Sequence, residues 1–78
     1  MGSWNYNLNN PTVLFEVEEK LGEDGRRIHL VVKTSDGIKV RWIPKKVSDF
    51  YEYCKEGSIV QEIIIPEWLA KKIGLIGK

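Results

Sequence analysis

In three stretches of the chain, apolar residues recur at every second position: Val13, Phe15 and Val17, then Ile28, Leu30 and Val32, then Ile38, Val40 and Trp42. Successive side chains of a strand point to opposite faces, so this period marks strands with one buried face. The spacing predicts strands over 12–21, 27–34 and 38–43. Turn residues separate them, around Gly22-Glu23-Asp24-Gly25 and at Ser35-Asp36-Gly37. Connections this short make antiparallel hairpins.

Residues paired across a hairpin share a face, which turns loop length into a prediction of register. A two-residue loop at Asp36-Gly37 would pair Val32 with Arg41 and split the two apolar sets. A three-residue Ser35-Asp36-Gly37 loop pairs Thr34 with Ile38, Val32 with Val40 and Leu30 with Trp42. It also puts Gly37 at the left-handed position of a type I turn with a G1 bulge, so this register is expected. The same reasoning sets Val17 opposite Ile28 and Phe15 opposite Leu30, with an even-numbered loop between. Glu18 then faces Arg27, and Glu16 faces His29.

Farther along, Val47, Phe50, Tyr51 and Cys54 fall at i, i+3, i+4 and i+7, which predicts a short helix ending before Gly57, with Ser48 as N-cap. Cys54 reads as a small core residue on that helix. Residues 58–65 read as a fourth strand, apolar on both faces and so central or covered. Pro66 opens a last helix, with Glu67 in its first turn and Lys71 and Lys72 in its last. Gly74 stands at the position after the cap, where Leu75 can fold back on Leu69 or Ala70. Trp42 is expected to point inward, and Trp68 and Leu69 to anchor the helix on the sheet. Residues 1–11 hold four asparagines and an alternating Trp4, Tyr6 and Leu8, an irregular N-terminal arm before one small domain over 12–78. The expected class is α+β: a small, strongly curled antiparallel sheet or partly open SH3/OB-like barrel of about four strands, with one or two short helices.

Composition narrows the chemistry. The 78 residues include one cysteine and one histidine, with a formal net charge of +1. A disulfide scaffold and a Cys/His zinc site lack their parts. No Gly-Lys-Ser/Thr phosphate loop occurs. His29 opposite Glu16 reads as a surface charge pair with no nucleophile beside it. No enzyme, cofactor or metal is expected. No apolar run approaches the roughly 20 residues of a membrane span. The polar start lacks the basic and apolar regions of a signal peptide, and the single cysteine suits a reducing compartment, so the expected location is cytoplasmic.

Two strings carry a family likeness: Trp42-Ile43-Pro44-Lys45 and Ile65-Pro66-Glu67-Trp68-Leu69-Ala70, followed by Gly74-Leu75. They resemble small uncharacterised phage and bacterial proteins with a W-[IL]-P-K-S motif after a strand and an IPEWLA-x-x-x-GL helix at the end. The likeness covers about a third of the chain. Lys46 stands where that group has Ser, and residues 47–58 look like an insertion. The resemblance implies the order strand, WIPK corner, strand, terminal helix, and a mobile-element setting. It transfers no catalytic residue.

Charge is unevenly spread: residues 1–25 carry a net −4, residues 26–55 a net +5, and the rest balance. In the expected register Lys33 lies opposite Lys39 and Arg27 runs toward Lys45. Like charges in such positions are destabilising unless an anion neutralises them. Arg27, Lys33, Lys39, Arg41, Lys45 and Lys46 are therefore the candidate contacts for a DNA or RNA backbone along a basic sheet edge. The alternative partner is a protein, docked by an adaptor or inhibitor on an outer apolar strip of Leu14, Val31 and Ile43. A helix of the same chain covering that strip would leave neither.

Overall fold

The computed structural model describes residues 11–77, so the expected N-terminal arm lies, apart from Pro11, outside the described residues. Five strands run β1 (Thr12–Glu23), β2 (Arg27–Thr34), β3 (Gly37–Pro44), β4 (Asp49–Lys55) and β5 (Ser58–Pro66), followed by helix α1 (Glu67–Lys72). They form one antiparallel sheet in the order β3-β2-β1-β5-β4, with β3 and β4 at its edges. The sheet is not closed, and it has one strand more than the alternation predicted. No helix is long and apolar enough to cross a membrane among the described residues.

The extra strand replaces the expected helix over 47–54. A three-residue 3₁₀ turn, Lys45–Val47, leads into β4, which pairs with β5 from Asp49↔Ile64 to Lys55↔Ser58. Glu56 and Gly57 close this hairpin at φ +52° and +82°. Positive φ at both central residues is the type I′ turn that suits the twist of a two-residue hairpin, and glycine adopts it without strain. Phe50 alone of β4 turns toward the core, and Cys54 is exposed rather than buried.

Both predicted hairpin registers are corrected. Between β2 and β3 the loop has two residues, Ser35-Asp36, giving Thr34↔Gly37, Val32↔Lys39, Leu30↔Arg41 and Ile28↔Ile43. The Thr34 side chain holds this shorter loop: its hydroxyl donates to the Gly37 carbonyl at 2.7 Å and accepts the Asp36 N–H at 3.1 Å. Gly37 does have positive φ, +118°, but β3 is turned over relative to expectation. A one-residue change of register moves every side chain to the other face. Ile43 is thus fully buried, whereas Ile38, Val40 and Trp42 are 61%, 45% and 40% exposed.

Between β1 and β2 the pairs are Glu16↔Lys33 and Val17↔Val32 at one end and Glu23↔Ile28 at the other, with irregularities that leave Glu18 and Leu21 unpaired. These bulges lengthen β1 to Glu23 while Phe15 and Val17 stay inward. The turn is tied by Asp24, whose carboxylate accepts the N–H groups of Arg26 at 2.8 Å and Arg27 at 2.9 Å. Those N–H groups hold its pKa below the usual value.

The core lies between the inner sheet face and the C-terminal segment: Leu30, Val32, Ile43, Ile63 and Ile65 pack with Leu69, Ala70 and Leu75. Trp68, expected as an anchor, is 46% exposed. Leu69 and Ala70 take that role because they occupy the face of the short helix turned to the sheet. Pro66 is the N-cap, and the helix ends as its sequence predicts. The Leu75 N–H donates to the Ala70 carbonyl at 2.8 Å and Gly74 N–H to Lys71 at 3.2 Å, with Gly74 at φ +80°. This is the paired hydrogen bonding of a Schellman cap, and it folds Leu75 into the core.

Candidate functional site

The six basic residues do not form one edge. Lys39 and Arg41 lie on the inner side of β3, opposite the buried Val32 and Leu30. Their stems cross the sheet end to reach the helix terminus. Lys39 Nζ donates to the Gly74 carbonyl at 2.7 Å, and Arg41 Nε donates to the Ile73 carbonyl at 2.6 Å. Cations at a helix C-terminus satisfy orphan carbonyls and complement the dipole. Inward-pointing charges also protect an edge strand from pairing with other chains.

Lys33 lies on the outer face opposite Glu16, and its ammonium sits 3.4 Å from Glu16 and 3.5 Å from Glu18. The hydrogen bond with Glu16, then its charge, raise the Lys33 pKa, with Glu18 adding to both. Lys33 therefore does not face Lys39, and the like-charge pair that suggested an anion site is absent. Lys45 pairs with Glu23 at 2.5 Å, at the opposite end of the sheet. Glu23 is also bonded by Lys20, and the two ammonium groups pull its carboxyl down to about 2. Arg27 Nε is 3.4 Å from Asp24. Lys46 is exposed, and it alone of the six has no ion pair or hydrogen bond among the described side chains.

The predicted apolar strip is also redistributed. Leu14 is exposed on β1 and Val31 is half-buried on β2, but Ile43 belongs to the core. In its place the outer face carries Ile38, Val40 and Trp42 along β3, with Val31 directly opposite Val40. His29 is opposite Trp42 rather than Glu16, and the two rings stack with centroids 4.3 Å apart and an interplanar angle of 7°. The Arg27 guanidinium carbon lies 4.2 Å from the Trp42 ring centroid, within cation–π range. The exposed indole is thus held in one orientation by two neighbours on β2. The sequence pattern concealed this row because the lysine and arginine between its members made Ile38, Val40 and Trp42 look like the buried set.

Elsewhere on the sheet, pairing between β1 and β5 ends at Glu16↔Glu62. Beyond it opens a cavity of about 250 Å³ lined by Glu16, Val17, Glu18, Lys33, Ile59, Val60 and Gln61. Its charged groups are the ones already paired to one another. No cluster of three His, Cys, Asp or Glu suited to a metal occurs among the described residues. Comparison with protein-family models, with curated proteins and with solved structures finds no match.

Proposed function

We propose that this chain is a small non-enzymatic module that binds proteins through the outer face of β2 and β3. The observation that carries this reading is the exposed row Ile38, Val40 and Trp42 on an edge strand, backed by Val31. Five of the six candidate cations are committed to contacts within the fold, whereas this apolar row stays exposed on the outer face. Tryptophan with two restricted torsions loses little entropy on binding, and Arg27 at the rim, which meets Asp24 through Nε alone, keeps its terminal guanidinium nitrogens to meet a carboxylate. The partner that fits is an apolar segment carrying an acidic residue. A curled, partly open barrel shape, a cytoplasmic location and a phage or mobile-element origin belong to this same reading.

Peptides selected from a random display library on the immobilised protein test it. Apolar, acid-bearing sequences should be enriched, bind with little salt dependence, and be lost when Val40→Asp is introduced without a change of fold. Enrichment that ignores Val40→Asp would contradict the reading.

One observation favours nucleic acid as the second reading: an exposed indole beside a guanidinium is the pairing on which bases stack. In that case a single-stranded oligonucleotide binds, Trp42→Ala removes the binding, and affinity falls steeply with salt as counterion release is lost. Lys46, which has no ion pair or hydrogen bond among the described side chains, would then be the flanking phosphate contact, whereas Lys39 and Arg41, bonded to the helix end, would not.

A further inference from the structure

The opposite edge of the sheet differs from β3. β4 has no strand on its outer side among the described residues, and from Tyr51 onward it is exposed on both faces. Its hairpin partner β5 leaves the pairing with β1 beyond Glu62, so residues 52–61 form a two-stranded ribbon. Such a ribbon alone is marginal in water. Asp49 and Lys55, at the two ends of β4, have no ion-pair partner among the described residues.

The hydrogen-bonding direction of β4 follows from its turn. A two-residue turn bonds its first and last residues, here Lys55 and Ser58. Bonded and non-bonded pairs then alternate, so Lys55, Tyr53, Tyr51 and Asp49 bond to β5. Phe50, Glu52 and Cys54 direct their N–H and C=O groups to the open edge. A strand that docks there must bond at those three positions.

The sequence of β4, Asp-Phe-Tyr-Glu-Tyr-Cys-Lys, meets this requirement with a copy of itself. Antiparallel pairing centred on Glu52 places Phe50 opposite Cys54 of the second copy and Glu52 opposite its own counterpart, all three at bonding positions. At the alternate positions, where side chains approach most closely, Asp49 meets Lys55 and Tyr51 meets Tyr53, each twice by symmetry. Centring on Tyr51 or Tyr53 pairs neither end with an opposite charge. We infer that β4 is a self-association edge, joining two copies of this chain through antiparallel β4–β4 pairing in the Glu52-centred register. Glu52 against Glu52 is the one unfavourable contact. This interface is distinct from the β2–β3 face, and neither depends on the other.

Sedimentation velocity across a concentration series tests it on the full chain. The unmodified protein should form dimers reversibly. Asp49→Lys and Lys55→Glu should each weaken dimerisation about tenfold, because opposite charges become like charges at two symmetric sites. The double variant Asp49→Lys with Lys55→Glu should restore it, since the swapped charges again face each other. Glu52→Gln should tighten it. Circular dichroism confirms that each variant is folded. A chain that stays monomeric up to about 1 mM, a dimer indifferent to either single change, or a double variant no better than the singles would each overturn the inference.

Discussion

Arg41 of β3 donates through Nε to the carbonyl of Ile73 at the end of α1, at 2.6 Å, across 32 positions of sequence. With the Lys39–Gly74 bond beside it, this contact ties an edge strand to the terminal helix cap. It shows that two residues with the outward signature of ligand-binding cations serve the fold.

The first prediction follows. Arg41→Met keeps most of the apolar stem and removes the donor, leaving the Ile73 carbonyl without its charged partner. Unfolding by urea should show a loss of about 1.5 to 3 kcal/mol. An unchanged midpoint would mean that the carbonyl is satisfied by solvent.

The orientation of β3 can be tested by comparing neighbours in sequence. Ile43→Ala should cost about 2 to 5 kcal/mol, the range for opening a cavity in a core. Val40→Thr should stay within about 0.5 kcal/mol of the unmodified protein, as is usual at an exposed site. The reverse order would restore the three-residue loop and bury Trp42.

That strand also shows where the sequence was legible and where it was not. Strand positions 27–34 and the helix end at Gly74-Leu75 follow from alternation and capping chemistry, and both are found as expected. Register was not legible, because the choice between two and three loop residues rests on the Thr34 side chain and on a helix terminus far along the chain. Lys39 and Arg41 alternate with three large apolar residues, so local pattern favours burying the wrong face. The β4 hairpin was hidden twice. Its turn is Glu-Gly rather than the usual Asn-Gly, and Val47, Phe50, Tyr51 and Cys54 coincide with helical spacing by chance. Alternation along β2 places Arg27 and Val31 on the outer face, where the structure has them, whereas alternation along β3 points Ile38, Val40 and Trp42 to the core, from which the observed register turns them away.

Gly74 provides a third check. At φ +80° a Cβ is strained whatever surrounds it, and one built there would also lie 3.4 Å from the Arg41 guanidinium. Gly74→Ala should therefore destabilise by about 1 to 2 kcal/mol. Thermal unfolding of the two proteins measures the difference, and equal melting temperatures would contradict the left-handed cap.

Glu23 predicts a pH dependence. Lys20 and Lys45 hold its folded carboxyl at about 2, below the usual 4.5. A depressed folded pKa means that its contribution is complete above 4.5 and fades as pH falls toward 2. The stability gap between the unmodified protein and Glu23→Gln should therefore close over that interval, and salt should narrow it at neutral pH because the pairs are exposed. A gap that persists unchanged at pH 2 would assign it to something other than the ion pairs.

The central claim is that the outer face of β2 and β3 binds and that the inward cations of β3 do not. An amide-resolved NMR titration with a display-selected peptide tests it most directly. Val31, Ile38, Val40 and Trp42 should show the largest shifts, while the amides of α1, which packs on the inner face of the sheet, stay near their free positions. A titration that leaves that row in place and instead moves the amides of α1 would contradict the account.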